Sequence, residues 1–191
     1  MRHNNHLLAL VLAAVLVGCA KKDSQDADSA TAMKSGDTTG TMAGMQNTPA
    51  RDADQEFMRM MADHHQGMIE MADTALRKAA SSRVRAEATR MRTAQSAEQK
   101  QMIDMLKKQY GEDKMPMATE SNASMLTMLA GASGAAFDRQ FREHVIMHHE
   151  EGIKMIDQFS SRLRNAELKQ MAEKMKGDQT REIAELRKEL K

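Results

Sequence analysis

The histidines and methionines of this 191-residue chain form two matching clusters. The first is MMADHHQGMIEM at residues 60–71, and the second is HVIMHH at 144–149, followed by Met155. Of the seven histidines only His3 and His6 lie elsewhere. Neutral imidazole is the commonest metal ligand in proteins, and thioether sulfur is a soft donor that favours Cu(I) over hard cations. The two clusters therefore predict copper ligands.

Helical spacing brings these side chains together, because residues three, four and seven apart share one face of a helix. At 100° per residue His64 lies in an apolar stripe that includes Met60, and His65 lies at its edge. The predicted metal ligands are His64, His65, Met60, Met61, Met68, Met71, His144, His148, His149 and Met155. Met58 and Met147 lie toward the sides of their helices and are weaker candidates.

The metal expected from this donor set is copper, with Cu(I) favoured over Cu(II). Magnesium and calcium prefer oxygen ligands, and zinc more typically uses cysteine, histidine and carboxylate. The alternative interpretation is packing, since methionine fills irregular gaps in a core and a lone buried histidine is usually structural. Two adjacent histidine pairs at equivalent positions favour a ligand site. Whether they form one site or two depends on how their helices face each other.

The elements that must position these residues are two similar helical hairpins. Residues 52–110 and 137–190 each carry two amphipathic stretches, and residues 54–71 align with 138–155 at a constant offset of 84, which pairs His64 with His148. Residues 111–136 connect them, with a short helix expected around 124–130 and a break at Gly134. Amphipathic hairpins of this length bury their stripes by packing together. The fold class expected for 51–191 is all-α, a four-helix bundle.

The composition of the first fifty residues predicts that the protein is exported and anchored to a membrane, and it does not predict a folded domain there. Residues 1–19 have a basic start, an apolar run too short to span a bilayer comfortably, and an end at Leu-Val-Gly-Cys that resembles a lipoprotein lipobox. Cys19 is the only cysteine and the expected lipidation site. Residues 20–50 contain almost no aliphatic side chains and predict a flexible tether. The expected location is the envelope of a bacterium, lipid-anchored and facing the periplasm, with the outer membrane favoured.

Several function classes are disfavoured by what the sequence lacks. Lys and Arg total 28 against 27 Asp and Glu, so no charge excess indicates nucleic acid binding. The Glu-x-x-His pairs of di-iron bundles are absent, as are G-x-S-x-G and a phosphate-binding glycine loop. We therefore expect no catalytic residues and no enzyme.

The segments FMRMMADHHQGMIEMA and FDRQFREHVIMHHEEGIKMI resemble the repeated signature of the domain of unknown function 305 family. The resemblance covers about residues 52–190 and implies a ferritin-like four-helix bundle. It also implies periplasmic copper binding, linked to copper resistance, as in CopM-like members. The second segment departs from the signature at Glu151-Gly152, which implies weaker metal binding in that half.

Together these observations predict a membrane-tethered protein that sequesters copper or passes it to copper-handling partners. The alternative is a non-catalytic envelope stress or interaction lipoprotein with a methionine-rich structural core. The oligomeric state is not predicted.

Overall fold

The computed structural model describes residues 48–191, which form five α-helices and no strand. The helices are α1 (Ala53–Lys78), α2 (Ser82–Tyr110), α3 (Glu120–Gly131), α4 (Gly134–Phe159) and α5 (Ala166–Glu189). Helices α1 and α2 form one hairpin, α4 and α5 form the other, and α3 packs across α1 and α4. The predicted all-α bundle of two hairpins is confirmed, with α3 as an added fifth helix. Cys19 and most of the predicted tether lie outside the described residues.

The connection between the hairpins is more helical than the sequence indicated. The side chain of Thr119 accepts a hydrogen bond from the Asn122 N–H, so α3 begins at Glu120 rather than near residue 124. Gly134 was expected to break the helical pattern, but it is the first residue of α4. Its φ of 59° turns the chain sharply between α3 and α4, a conformation that glycine adopts without strain. No helix of residues 48–191 is long and apolar enough to cross a membrane.

Two aspartates join the hairpins at opposite ends of the bundle. The Asp54 carboxylate accepts hydrogen bonds from the backbone N–H groups of Arg164 and Asn165, at 2.8 and 2.9 Å. Asp138 accepts from Ala80 and Ser81 in the same way, at 2.9 and 2.7 Å. Each aspartate therefore holds the turn of the other hairpin, rather than capping its own helix. The start of α1 consequently lies beside the end of α4, and these two helices run antiparallel.

The apolar core is divided into two clusters by a layer of histidines. One cluster contains Phe57, Met58 and Met61 of α1 with Ile156 and Phe159 of α4. The other contains aromatic, aliphatic and thioether side chains from all five helices, including Met68, Met71, Met125, Phe137, Phe141 and Val145. His64, His65, His148 and His149 come between these groups along α1 and α4, and all four are buried. The antiparallel pairing of α1 and α4 is what brings the two histidine pairs to the same level.

Helix α3 covers one side of the histidine layer through a very close approach to α1. A Cβ atom added at Gly67 would lie 2.2 Å from the Asn122 side chain, so only glycine leaves room for that amide. The Asn122 Nδ2 donates a hydrogen bond to the His64 carbonyl oxygen at 3.3 Å. The buried polar contact therefore fixes the position of α3 against the helix that carries the first histidine pair.

The buried face of α1 is wider than the predicted stripe and is centred between His64 and His65. Met58, expected at the side of the helix, is fully buried, whereas Met60, expected in the stripe, is 40% exposed. The prediction for Met60 was wrong about its environment. The reason is that α2 and α4 pack on the side occupied by Met58 and His65, whereas α3 begins too late to cover Met60.

Candidate metal centre

The imidazole rings of His64 and His148 stack at the centre of the bundle. Their centroids are 3.7 Å apart and their planes differ by 13°. The His64 Nε2–H donates to the His148 carbonyl oxygen at 3.1 Å, and the His148 Nε2–H donates to the His64 carbonyl oxygen at 3.0 Å. The two hairpins therefore meet at this layer in a reciprocal, nearly two-fold arrangement.

The second histidine of each pair contacts a carboxylate on the neighbouring helix of its own hairpin. The His65 Nε2 lies 2.9 Å from the Glu98 Oε2, and the His149 Nε2 lies 2.7 Å from the Glu182 Oε2. These contacts repeat at the offset of 84, so the duplication extends to the residues that orient the histidines. The ring centroids of each adjacent pair are 6.4 Å apart in α1 and 5.9 Å apart in α4.

These hydrogen bonds determine which ring nitrogens remain open. A carbonyl or carboxylate oxygen only accepts, so the Nε2 atom of each of the four rings carries a proton. The Nδ1 atoms of His65, His148 and His149 are buried and have no hydrogen-bond partner. In a neutral ring such an Nδ1 carries a lone pair. Metal-binding histidines characteristically donate their other N–H to a carboxylate or backbone carbonyl, and the four rings follow this pattern.

Burial keeps the central rings uncharged. Desolvation, followed by repulsion from His65, lowers the pKa of His64 to about 3. Desolvation, followed by the neighbouring His64, lowers the pKa of His148 well below its ordinary value. An imidazole binds a metal ion only in its neutral form. The fold therefore holds the central pair in the form that binding requires.

His144 lies one turn before His148 and is also buried, with an Nδ1 that has no partner. Desolvation lowers its pKa, and this effect is opposed by the Glu143 carboxylate. It has no carboxylate or carbonyl contact like those of the other four rings. The first hairpin carries Met60 at the equivalent position, so this part of the duplication is not symmetric.

The methionines predicted as ligands occupy different surroundings. Met61 is buried in the cluster around Phe57, and Met155 is partly buried against it. Met68 and Met71 are fully buried on the other side of the histidine layer. Met60 lies at the surface. The thioethers therefore lie above and below the histidine layer rather than at one point.

Opposite α3, a groove between α2 and α5 leads from the surface to the residues behind the histidines. A cavity of about 230 Å³ in this groove is lined by Glu98 and Glu182, and also by Gln95 and Gln179. Both glutamines are buried and occupy equivalent positions at the offset of 84. The sequence analysis assigned neither glutamine to the site. The offset of 84, continued into the second helix of each hairpin, is the signal that pairs them.

A model of a family described as "Domain of unknown function (DUF4142)" matches residues 39–187. The chain belongs to this family. Comparison with curated proteins found no significant match. The name of the family assigns no activity to its members.

Solved structures of similar fold carry more information about this DUF4142 chain. It is 27% identical to CopM in its Cu(II)-bound form, with a TM-score of 0.63, covering 72% of this chain and 95% of CopM. CopM structures also include Cu(I)-bound, silver-bound and apo forms.

Two DUF305 proteins share the fold at lower identity. The chain is 23% identical to a putative secreted protein from Streptomyces coelicolor (TM-score 0.64, covering 71% of this chain and 88% of that one). It is 21% identical to a fragment from Deinococcus radiodurans (TM-score 0.65, covering 75% and 98%). The expected likeness to the domain of unknown function 305 family is confirmed. None of these relatives is described as an enzyme.

The donor set of the DUF4142 bundle fits a soft or borderline metal ion, because unpartnered imidazole nitrogens lie between buried thioethers. Within residues 48–191, however, no three His, Asp or Glu side chains come together as a metal-binding group. A metal ion in this layer would therefore use donors of another kind as well. The buried Met68 and Gln179 side chains are the residues next to the layer that offer thioether sulfur and amide oxygen.

Proposed function

We propose that this protein binds copper through the central histidine layer and thereby sequesters the metal or passes it on in the bacterial envelope. The observation that carries the proposal is the set of buried Nδ1 atoms without partners on His65, His148 and His149. A buried polar atom without a partner costs free energy, so its presence at the matched positions His65 and His149, and at His148, indicates a ligand. The likeness to CopM, solved with copper and silver, supports the same conclusion.

The protein residues would act by presenting neutral imidazoles to the metal ion. Glu98 and Glu182 orient the outer rings and increase their basicity, as carboxylates behind metal-bound histidines do. The thioether of Met68 would add the soft donor that favours Cu(I). The groove that Glu98 and Glu182 line offers a cation a path from solvent toward these rings.

Competition of the purified mature protein against a chromogenic Cu(I) chelator tests the proposal. We expect the wild-type chain to take copper from the chelator. His64→Ala combined with His148→Ala should weaken the affinity by about tenfold or more, on the scale of losses measured for changed metal-site residues. The variant His64→Gln with His148→Gln retains side-chain amides that can donate to the opposing carbonyls, and it guards against a simple folding defect.

The matched control is Met147→Leu on the same helix as His148, since the Met147 side chain is 45% exposed. It should leave copper affinity unchanged. A wild-type protein that takes no copper from the chelator would overturn the proposal. Unchanged affinity in both double variants, with helicity intact, would show that the histidine layer is not the site.

The proposed tethering depends on Cys19, through lipidation of its thiol. Replacing Cys19 by Ser should move the protein from the membrane fraction to the soluble fraction of the cell envelope. If the Cys19→Ser protein stayed in the membrane fraction, the anchor would have to be elsewhere.

A second candidate function is that of an envelope interaction lipoprotein whose methionines serve only for packing. It is favoured by the absence, within residues 48–191, of a grouping of three His, Asp or Glu residues around one point. It predicts no copper uptake by the wild type. It also predicts that Met68→Leu and Met71→Leu, which conserve side-chain volume, leave every binding measurement unchanged.

A further inference from the structure

The carboxamide of Gln179 is buried next to the central histidine pair and makes no hydrogen bond in the metal-free protein. Gln179 is 3% exposed, and neither its Oε1 nor its Nε2 has a hydrogen-bond partner. A Cβ atom added at Gly152 would lie 2.7 Å from the Gln179 Oε1 and 3.1 Å from the His64 Nε2. The amide and the imidazole therefore both border the space that a side chain at residue 152 would occupy.

This arrangement breaks the two-fold symmetry of the layer. The residue equivalent to Gly152 in the first hairpin is Met68, whose side chain is fully buried. One half of the bundle thus places a thioether where the other half leaves space, and Gln179 reaches into that space. The equivalent Gln95 of the first hairpin is also buried with an unpartnered Oε1, but only at Gln179 do both amide atoms lack a partner.

An unpartnered buried carboxamide is costly, because both of its polar atoms have lost water. Replacement by an apolar side chain of similar size would remove that cost. Since the amide makes no hydrogen bond within the described part of the chain, turning its oxygen toward an incoming cation would break none. Amide oxygen is a harder donor than thioether sulfur, and a weak oxygen or sulfur ligand tunes the redox balance of copper sites.

We propose that Gln179 is a further copper ligand that supplies an oxygen donor to the histidine layer and selectively stabilises Cu(II). The inference rests on the proposed copper function and specifies how the same site accommodates both oxidation states. Gly152 has a positioning role, because any larger side chain there would displace the carboxamide. Copper enters from the groove lined by Gln179. Met68 supplies, from the other side of the layer, the thioether that favours Cu(I).

Chelator competition with the mature protein, run separately for Cu(I) without oxygen and for Cu(II), tests this assignment. Gln179→Leu should weaken Cu(II) binding by about tenfold and change Cu(I) binding by less than about threefold. A tenfold selective loss raises the reduction potential of the bound couple by about 59 mV. The electron paramagnetic resonance spectrum of the Cu(II) form should change as an oxygen ligand is lost.

Three further variants separate ligation from packing. Gln179→Glu keeps an oxygen donor and should retain Cu(II) affinity. Gly152→Ala should weaken Cu(II) binding in the wild type but have little further effect in Gln179→Leu. Gln170→Leu, at an exposed position of the same helix, should leave both affinities unchanged.

The outcomes distinguish this inference from the proposed function. Copper binding by the wild type, together with equal losses of Cu(I) and Cu(II) affinity in Gln179→Leu, would assign Gln179 to packing and overturn the inference alone. The same holds if neither affinity changes. Absence of copper binding in the wild type would overturn both proposals.

Discussion

Acid should destabilise this protein strongly, because its core contains histidines that must remain neutral. The pKa of His64 is lowered to about 3 by burial, from an ordinary value of 6.5. Between these values the unfolded chain binds more protons than the folded chain, so folding stability falls as the pH falls. The contribution of His64 is fully present above about pH 6.5 and is lost progressively toward pH 3.

The size of the effect follows from the two pKa values. From about pH 7.5 to 4.5, His64 alone should lower the free energy of unfolding by about 2.7 kcal/mol. The pKa of His148 is also lowered by burial, so its contribution has the same sign. Stability of a small domain is only about 5–15 kcal/mol in total, so unfolding near pH 4.5 should need much less denaturant.

Urea titrations of the metal-free protein at constant ionic strength provide the measurement. The comparison uses His64→Gln, which removes the titrating group while retaining a donor for the His148 carbonyl oxygen. The variant should show a shallower dependence of unfolding free energy on pH, whatever its stability at neutral pH. An equally steep dependence in the variant would refute the reasoning, because the lost stability would then come from other groups.

Three more outcomes follow from contacts between separate elements of the bundle. Glu182→Gln should weaken copper binding by about tenfold. The control Glu150→Gln, which removes only a surface ion pair with Arg187, should leave copper affinity unchanged. Chelator competition compares the two variants. Gly67→Ala should lower the free energy of unfolding by about 1–3 kcal/mol through overlap with the Asn122 side chain, and Asn122→Ala should relieve that loss in the double variant. Asp138→Asn should lower the free energy of unfolding by a similar ~1–3 kcal/mol, because an amide group replaces a carboxylate that accepts hydrogen bonds from two backbone N–H groups. Urea denaturation measures this loss, and an unchanged free energy of unfolding would contradict the prediction.

The sequence predicted the bundle well because its main signals were local and repeated. Helical periodicity defined the four long helices, and the offset of 84 predicted that His64 and His148 occupy equivalent positions. Periodicity defines a helix face relative to its own axis, however, and does not show which neighbour covers each part of that face. Met60 and Met58 were therefore given environments opposite to those in the structure.

The partners of the histidines could not be predicted from spacing within one helix. Glu98 and Glu182 lie 33 residues after the rings they contact, and Asn122 comes from a short helix in the connection. Only the packing of separate elements brings these groups to the layer. Gln179 was not assigned to the site for a related reason, since a single polar residue within an apolar stripe does not show which side chains of other helices it meets.

The differences between the two hairpins are more informative about metal binding than their similarities. Reciprocal contacts between His64 and His148 can be explained by the joining of two similar hairpins, because each bond also stabilises the fold. The exchange of Met68 for Gly152 is different: it leaves room for the carboxamide of Gln179 beside the His64 ring, where neither of its polar atoms has a partner. A core selected for packing alone would fill that space with an apolar side chain. The proposed role of Gln179 accounts for the space, because the glycine at 152 admits its oxygen to the histidine layer. On that reading the second motif differs from the first in its donors and is not simply a weaker copy.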